Sequence, residues 1–325
     1  MSVYSPITRS QLEALFDDYD LGKVINFEGI SAGIDNTNYQ VTTSSGEFVL
    51  TVFESLTDSD LKPVFQLLTQ ANKHIPCPLP QPKRNDNLLS HFNNKPAAVF
   101  NFLPGVDVKE PSIEHCRTLG SALAKLHIGL KGVEMPVTHR YNLSAFKTVF
   151  KRLKSHLSAS DIVLIEDELS YQSRYNFANL PGSVIHGDLF RDNVLYIGDK
   201  LSGILDFYDA CKGPWLIDIA IATNDWCSDN GSIHNDKTTS LLAGYQSIRP
   251  LQSEEQRLWP VVLRAAALRF WLSRLQHRIQ PRPGVLTQEK DPIEFKRLLQ
   301  QHRQLQSRSA PVSTHLTPLN LRKSA

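Results

Sequence analysis

The stretch "VIHGDLFRDNVLYIGDKLSGILDFYDA", Val184 to Ala210, sets five aspartates among short runs of Val, Ile and Leu. Carboxylates repel one another and lose solvation beside apolar side chains, so a chain that folds around them must compensate their charge. Two short strands, near Val184–Ile185 and Leu201–Leu205, end close to three polar groups. Asp188 follows His186-Gly187, Asn193 lies five residues later, and Asp206 closes a strand thirteen residues beyond that. Strand ends are rigid platforms, so this spacing converges one lone carboxylate with an amide–carboxylate pair. Asn and Asp oxygens are hard ligands suited to Mg²⁺, which binds substrate phosphates as well. Asp188 is then left to accept the proton of an attacking hydroxyl. Phosphoryl transfer requires this division of labour, with the cation neutralising the β- and γ-phosphates while the carboxylate orients the acceptor. A solvated loop with a capped turn is the competing explanation.

The 325 residues on either side divide in character. The first hundred read mostly as strands, including a hairpin of Tyr39–Thr43 and Glu47–Phe53 joined by Ser44-Ser45-Gly46. A helix follows, with Ser59 as N-cap and Leu61, Val64, Leu68 and Ala71 at helical spacing. A proline-rich connector precedes "KPAAVFNFLPG", a buried strand stopped by Pro104-Gly105, the expected hinge. Asn101 and Phe102, at the end of that strand, are nucleotide-binding candidates. From Ser112 onward Ile113, Cys116, Leu119, Leu123, Leu126 and Leu130 give a helix with one apolar stripe, and further helices run to about residue 305. The expected fold class is α+β and bilobal: a small antiparallel-sheet lobe over 1–103, a larger, mainly helical lobe over 104–305, and a mobile tail over 306–325.

A net charge of +2 is too mild to imply nucleic acid as a partner. Cys77, Cys116, Cys211 and Cys227 lack metal-site spacing and read as reduced thiols. No apolar run approaches a membrane span and the N-terminus lacks a signal-peptide core, so a cytoplasmic protein without membrane contact is expected.

"HGDLFRDNVL" followed by "ILDF" resembles the catalytic loop and metal motif of the aminoglycoside-phosphotransferase and choline-kinase group, relatives of protein kinases. The resemblance implies a protein-kinase-like fold with ATP as co-substrate. It also implies that Asp188 is the catalytic base, that Asn193 and Asp206 hold Mg²⁺, and that His186 braces the loop. From about Val24 to Arg278, "GIDNTNYQVTTSSGEFVLTVFE", "VFNFLPG" and "LRAAALRFWLSRL" extend the likeness to bacterial homoserine kinases of this fold. That narrower resemblance implies phosphorylation of the homoserine side-chain hydroxyl to O-phospho-L-homoserine, a step towards threonine.

Two phosphate cradles are missing, the P-loop G-x-x-x-x-G-K-[ST] and the kinase G-x-G-x-x-G. In their place "EGISAGIDNTNY" offers a turn with Ser31 and Asn36 as polar donors over the nucleotide, or else a plain hairpin turn. Thr51 stands where protein kinases carry a strand lysine, as it does in homoserine kinases of this kind. Arg191 is the candidate replacement cation; it is either that or a structural arginine paired with Asp192 or Asp209.

In "SEEQRLWPVVLRAAALRFWLSRLQHRI", opened by a Ser253/Gln256 capping box, Arg269 shares a face with Val262, Ala265 and Leu272. A guanidinium there requires a carboxylate, either that of homoserine or an internal one from Asp218 or Asp225. Asp225 or Asp209 would receive the homoserine ammonium unless they are helix caps. Tyr208, Trp215 and Trp226 either line the acceptor pocket or pack the core. Choline, an aminoglycoside, methylthioribose or a fructosamine are alternative acceptors. A non-catalytic nucleotide-binding module and a metal-dependent hydrolase are alternative functions.

Overall fold

A computed structural model describes residues 4–30, 36–136, 142–280 and 290–308. Helix α1 (Arg9–Phe16) precedes strands β1 (Val24–Gly29), β2 (Asn36–Thr43) and β3 (Gly46–Phe53), then α2 (Asp58–Ala71), β4 (Ser90–Phe92) and β5 (Lys95–Asn101). The strands form an antiparallel sheet in the order β1-β2-β3-β5-β4. Period-two alternation lets this sheet bury both faces. Tyr39, Val41, Leu50, Val52 and Val99 pack with Leu12 and Phe16 of α1, whereas Phe53, Ala98 and Phe100 join Leu61, Phe65 and Leu68 of α2. The N-cap of α2 lies two residues earlier than expected. Asp60 accepts the Thr57 N–H at 2.9 Å, so Thr57 is the N-cap and Ser59 lies inside the first turn.

The chain leaves the sheet after Asn101 and crosses through Leu103, Pro104 and Gly105. Gly105 has φ +125°, and a Cβ there would lie 2.8 Å from the Tyr196 carbonyl oxygen, so this crossing requires glycine. Beyond it come β6 (Val106–Asp107), α3 (Ile113–Gly129), α4 (Leu143–Leu153), α5 (Ala159–Gln172), β7 (Gly182–Ile185), β8 (Val194–Ile197), β9 (Lys200–Ile204) and β10 (Cys211–Pro214). Helices α6 (Trp215–Trp226), α7 (Asn235–Gln246), α8 (Ser253–Ile279) and α9 (Pro292–Arg308) complete the second lobe. β8 and β10 are strands that the sequence pattern did not separate from the surrounding loops. The α3 stripe packs as expected except for Ile113, which is 53% exposed. α8 is capped by Gln252, whose N–H donates to Glu255 at 2.9 Å, one residue before the expected Ser253/Gln256 box. It runs unbroken past Pro260. Among the described residues no helix is long and apolar enough to cross a membrane. The expected tail falls outside the described residues from 309 onward.

α9 is fastened by His302, which lies in the core and donates from Nε2 to the Asn224 Oδ1 at 2.8 Å. Burial, aided by the charge of Arg264, pushes its pKa down to about 4. An unfolded histidine titrates near ~6.5, so below that pH the unfolded chain takes up a proton that the folded chain refuses. Stability therefore falls as pH drops from about 6.5 towards about 4, by roughly 1.4 kcal/mol per pH unit for this one group. Urea midpoints at pH 7, 6 and 5 should show that decline, and His302→Gln, which retains a donor for Asn224, should flatten it. Equal slopes in the two proteins would remove His302 as its source.

Candidate active site

β7 delivers the chain directly into His186, Gly187 and Asp188. His186 is buried, its Nε2–H donates to the Leu205 carbonyl at 2.8 Å, and its Nδ1 accepts the Asp188 N–H at 3.2 Å. Burial lowers its pKa, in keeping with a neutral ring that donates from one nitrogen and accepts at the other. The ring thus ties the 186–188 loop to the residue preceding Asp206. Gly187 has φ +81°, and a Cβ there would lie 2.8 Å from the Asp209 carbonyl oxygen. The glycine of the H-G-D motif is what lets these two segments approach.

The loop is also held from below. Asp218 of α6, fully buried, accepts the His186 N–H at 2.6 Å and the Gly187 N–H at 2.8 Å. His127 of α3 donates to the same carboxylate at 3.1 Å and accepts from the Tyr245 hydroxyl at 2.9 Å. Burial alone would raise the Asp218 pKa, but the hydrogen bonds it accepts, from His127 first and from the Gly187 N–H, help to hold it below the ordinary value. His127 escaped the sequence reading. Its only mark was a histidine lying within the apolar stripe of α3.

Asp188 is half-buried by exposed area, and its carboxyl is raised well above the usual range. Burial is the main cause, followed by the negative charge of Asp209; Arg269 opposes the shift and Asp206 adds to it. Asn193 donates from Nδ2 to the Asp188 carbonyl at 2.8 Å and, more weakly, to its Oδ2 at 3.3 Å. The Leu205 N–H bonds the Asn193 carbonyl at 2.8 Å, which sets the segments carrying Asn193 and Asp206 side by side. Asp206 itself is left-handed, with φ +60° and ψ +63°, a conformation that Asp and Asn tolerate better than other non-glycine residues. The three polar groups of the sequence pattern thus meet at one place.

With the Asn193 nitrogen engaged, its oxygen and the Asp206 carboxylate form a two-donor set of hard oxygens. Among the described residues no group of three His, Cys, Asp or Glu could hold a metal ion. An Asn–Asp pair fits Mg²⁺, which usually draws its remaining ligands from water and substrate phosphates.

Two candidates are corrected by their neighbours. Arg191 gives its N–H and Nε to Asp225 Oδ2, at 2.7 and 3.3 Å, and its NH1 to the Lys109 carbonyl at 2.8 Å. It is therefore a brace between the 188–193 loop and α6 rather than the replacement phosphate cation. Nor is its partner Asp192, which pairs with Lys290 at 2.6 Å. Asp225, only 7% exposed, is neutralised by Arg191 and so is not the acceptor of a substrate ammonium. The physical reason is shared: a carboxylate this deep is tolerable only beside its own cation.

The other candidates fall as follows. Tyr208 packs edge-on to Phe53 at 5.2 Å between the lobes, and burial raises its hydroxyl pKa. Asp209 is half-buried, near enough for its charge to act on Asp188. Asn36 accepts the Glu54 N–H at 3.4 Å, and Asn101 accepts the Leu79 N–H at 2.6 Å, so both amide oxygens stitch backbone. Phe102 lies at the hinge, its N–H on the Glu47 carbonyl at 3.3 Å. Ser31 is outside the described residues. Thr51, at the kinase lysine position, donates to Asn38 Oδ1 at 2.8 Å across the β2–β3 pair. Trp215 and Trp226 are buried in the core. Arg269 of α8, 5% exposed, donates from NH1 to the Gly187 carbonyl at 2.5 Å and lies over the Phe270 ring at 4.3 Å. Asp218 and Asp225, its expected internal partners, are bound to other groups.

A two-lobed fold with a histidine-braced aspartate beside an Asn–Asp pair is a phosphotransferase arrangement, and the chain belongs to the phosphotransferase enzyme family, which it matches over residues 26–251. It is 38% identical over 301 residues to the homoserine kinase of Methylobacillus flagellatus, covering 92% of this chain and 94% of that protein. It is 36% identical over 313 residues to the homoserine kinase of Rhizobium rhizogenes, covering 94% and 98%. Among solved structures it resembles amicoumacin kinase hAmiN in complex with AMP-PNP, Ca²⁺ and Ami, with TM-score 0.68, 13% identity, and 95% and 96% coverage. A microcompartment-associated aminopropanol kinase is similar at TM-score 0.65 and 14% identity, covering 93% and 98%. These two likenesses concern the fold alone, which is that of protein-kinase-like phosphotransferases.

Proposed function

We propose that this protein transfers the γ-phosphoryl group of ATP to the side-chain hydroxyl of L-homoserine, releasing ADP and O-phospho-L-homoserine. The observation that carries the choice of acceptor is identity of 36–38% to homoserine kinases over more than nine-tenths of the chain. ATP lies between the β1–β3 sheet and the hinge at Phe102, with the lobe boundary at 103/104. Asp188 accepts the hydroxyl proton as the oxygen attacks phosphorus; the new P–O bond forms, the bond to the β-phosphate oxygen breaks, and ADP departs with that electron pair. Asn193 and Asp206 hold Mg²⁺, which supplies neutralisation of the phosphate charge. His186 and Asp218 keep Asp188 aimed at the acceptor. The same reading places the reaction in the cytoplasm as a step towards threonine.

The test is incubation of the protein with MgATP and L-homoserine, following ADP and the phosphorylated amino acid together. Both should appear in equal amounts. ADP released without any acceptor would indicate hydrolysis, and no ADP with any amino alcohol would indicate a binding module.

A further inference from the structure

β2 and β3 carry no Lys or Arg, so these two strands present no cation to the cleft between the lobes. What they present is Asn38 directly opposite Thr51. Side chains alternate along a strand, so Asn38, Thr51 and Phe53 share one face of the sheet. Phe53 fixes where that face points, because its ring meets Tyr208, the second residue after Asp206, edge-on at 5.2 Å. Thr51 lies two positions, about 7 Å, from Phe53 on the side of the hinge, where the Glu47 carbonyl receives the Phe102 N–H. The Asn38–Thr51 pair thus stands between the Asp206 segment and the hinge. Thr51 is 5% exposed, and its hydroxyl bonds Asn38 Oδ1 at 2.8 Å. That is its one side-chain bond among the described residues. A buried hydroxyl proton needs an acceptor, so the amide cannot turn over: Nδ2 towards Thr51 would leave that proton unbonded. With its oxygen held, half-buried Asn38 keeps a free NH₂ group directed away from Thr51.

From this arrangement we infer that Asn38 binds the diphosphate portion shared by ATP and ADP, donating from Nδ2 to a phosphate oxygen, and that Thr51 is the positioning residue that aims it. The inference rests on the proposed kinase activity, which sets the phosphates at Asp206 and the rest of the nucleotide towards the hinge. A nucleotide spanning those two points passes its inner phosphates along the sheet face that carries Asn38. The donor is neutral. It contributes direction and a hydrogen bond strengthened by the charge of its acceptor. It contributes no positive charge, so neutralisation of the phosphates falls to the cation held by Asn193 and Asp206. A threonine in the middle of β3 is then half of a two-residue device, and the asparagine facing it across the ladder does the binding.

Direct titration with MgADP, MgATP and adenosine, without any acceptor, tests this independently of turnover. Asn38→Ala should weaken MgADP and MgATP by about tenfold to a hundredfold, the scale of one hydrogen bond to a charged group, and leave adenosine unchanged. Asn38→Asp, which puts an anion of the same shape in place of the donor, should weaken both nucleotides by more than about a hundredfold at neutral pH. Thr51→Val keeps the shape but frees the amide to turn, and should weaken MgADP about fivefold. Thr51→Ser, which keeps the hydroxyl, should recover most of that loss. Should Asn38→Ala fail to fold, the two substitutions at position 51 still decide, and equal MgADP affinity in both would overturn the inference. Unchanged MgADP affinity in Asn38→Ala, or an equal loss for adenosine, would overturn the inference alone. Failure of the unaltered protein to bind MgATP would overturn the functional reading and this inference with it.

Discussion

Asp188→Asn lowers kcat by about three powers of ten while the variant still folds and binds ATP. The amide cannot accept the hydroxyl proton, yet it fills the same space beside Asn193 and the Gly187 turn. The same substitution raises stability in metal-free buffer at neutral pH. Burial and the charges of Asp209 and Asp206 lift the Asp188 pKa above that of the unfolded chain, so the folded protein holds the proton more tightly. For a carboxyl shifted in this direction, stability falls as pH rises from the unfolded value through the folded one, and above that the penalty is fully present. Asn removes the penalty. Steady-state kinetics with thermal melts at pH 7 and pH 4 check both halves: the melting advantage of the variant should shrink at the lower pH. Undiminished turnover would remove Asp188 from the mechanism.

Asp218→Asn is the second large effect, expressed first in stability. One carboxylate receives the N–H groups of His186 and Gly187 and the ring of His127, all inside the core. Asn presents one acceptor and one donor, so its NH₂ faces N–H groups and at least one buried donor loses its partner. The expected loss is about 3–5 kcal/mol, the scale for breaking a buried charge constellation by removing one member. Residual folded enzyme should also show a reduced kcat, because residues 186–188 are no longer held. Urea unfolding combined with assays at low temperature separates the two effects. His127→Gln retains a donor towards Asp218 and should cost far less. A variant at 218 with wild-type urea midpoint and rate would show that the loop is held elsewhere.

The H-G-D-x-x-x-x-N and L-D-F spacing was legible because short-range geometry governs it. Gly187 must be glycine, the turn from Asp188 to Asn193 closes within five residues, and β8 and β9 form a hairpin that returns the chain to Asp206. The two-lobe division was legible for a related reason. Period-two patterning gives way to helical spacing, and Pro104-Gly105 stands at the crossing. Helix starts were missed by two residues at Thr57 and by one at Gln252, because neighbouring polar residues compete for the cap and only the backbone angles choose between them.

Partners far apart in sequence were another matter. Arg191 was assigned towards phosphate and Asp225 towards substrate, although they meet each other across 34 positions. Asp218 was considered only as a partner for Arg269, yet it bonds His186 and Gly187, 32 and 31 positions away, and His127 at 91.

The amino-acid sequence by itself determined the two lobes and the proximity of Asp188, Asn193 and Asp206. Each is written in local periodicity or in spacings that one turn or hairpin converts into contact. Which cation neutralises which carboxylate was decided only by tertiary structure. Packing α3, α6 and α8 beneath the loop brings charges together over 34 to 91 positions, and Coulomb and desolvation energies depend on those through-space distances rather than on order along the chain.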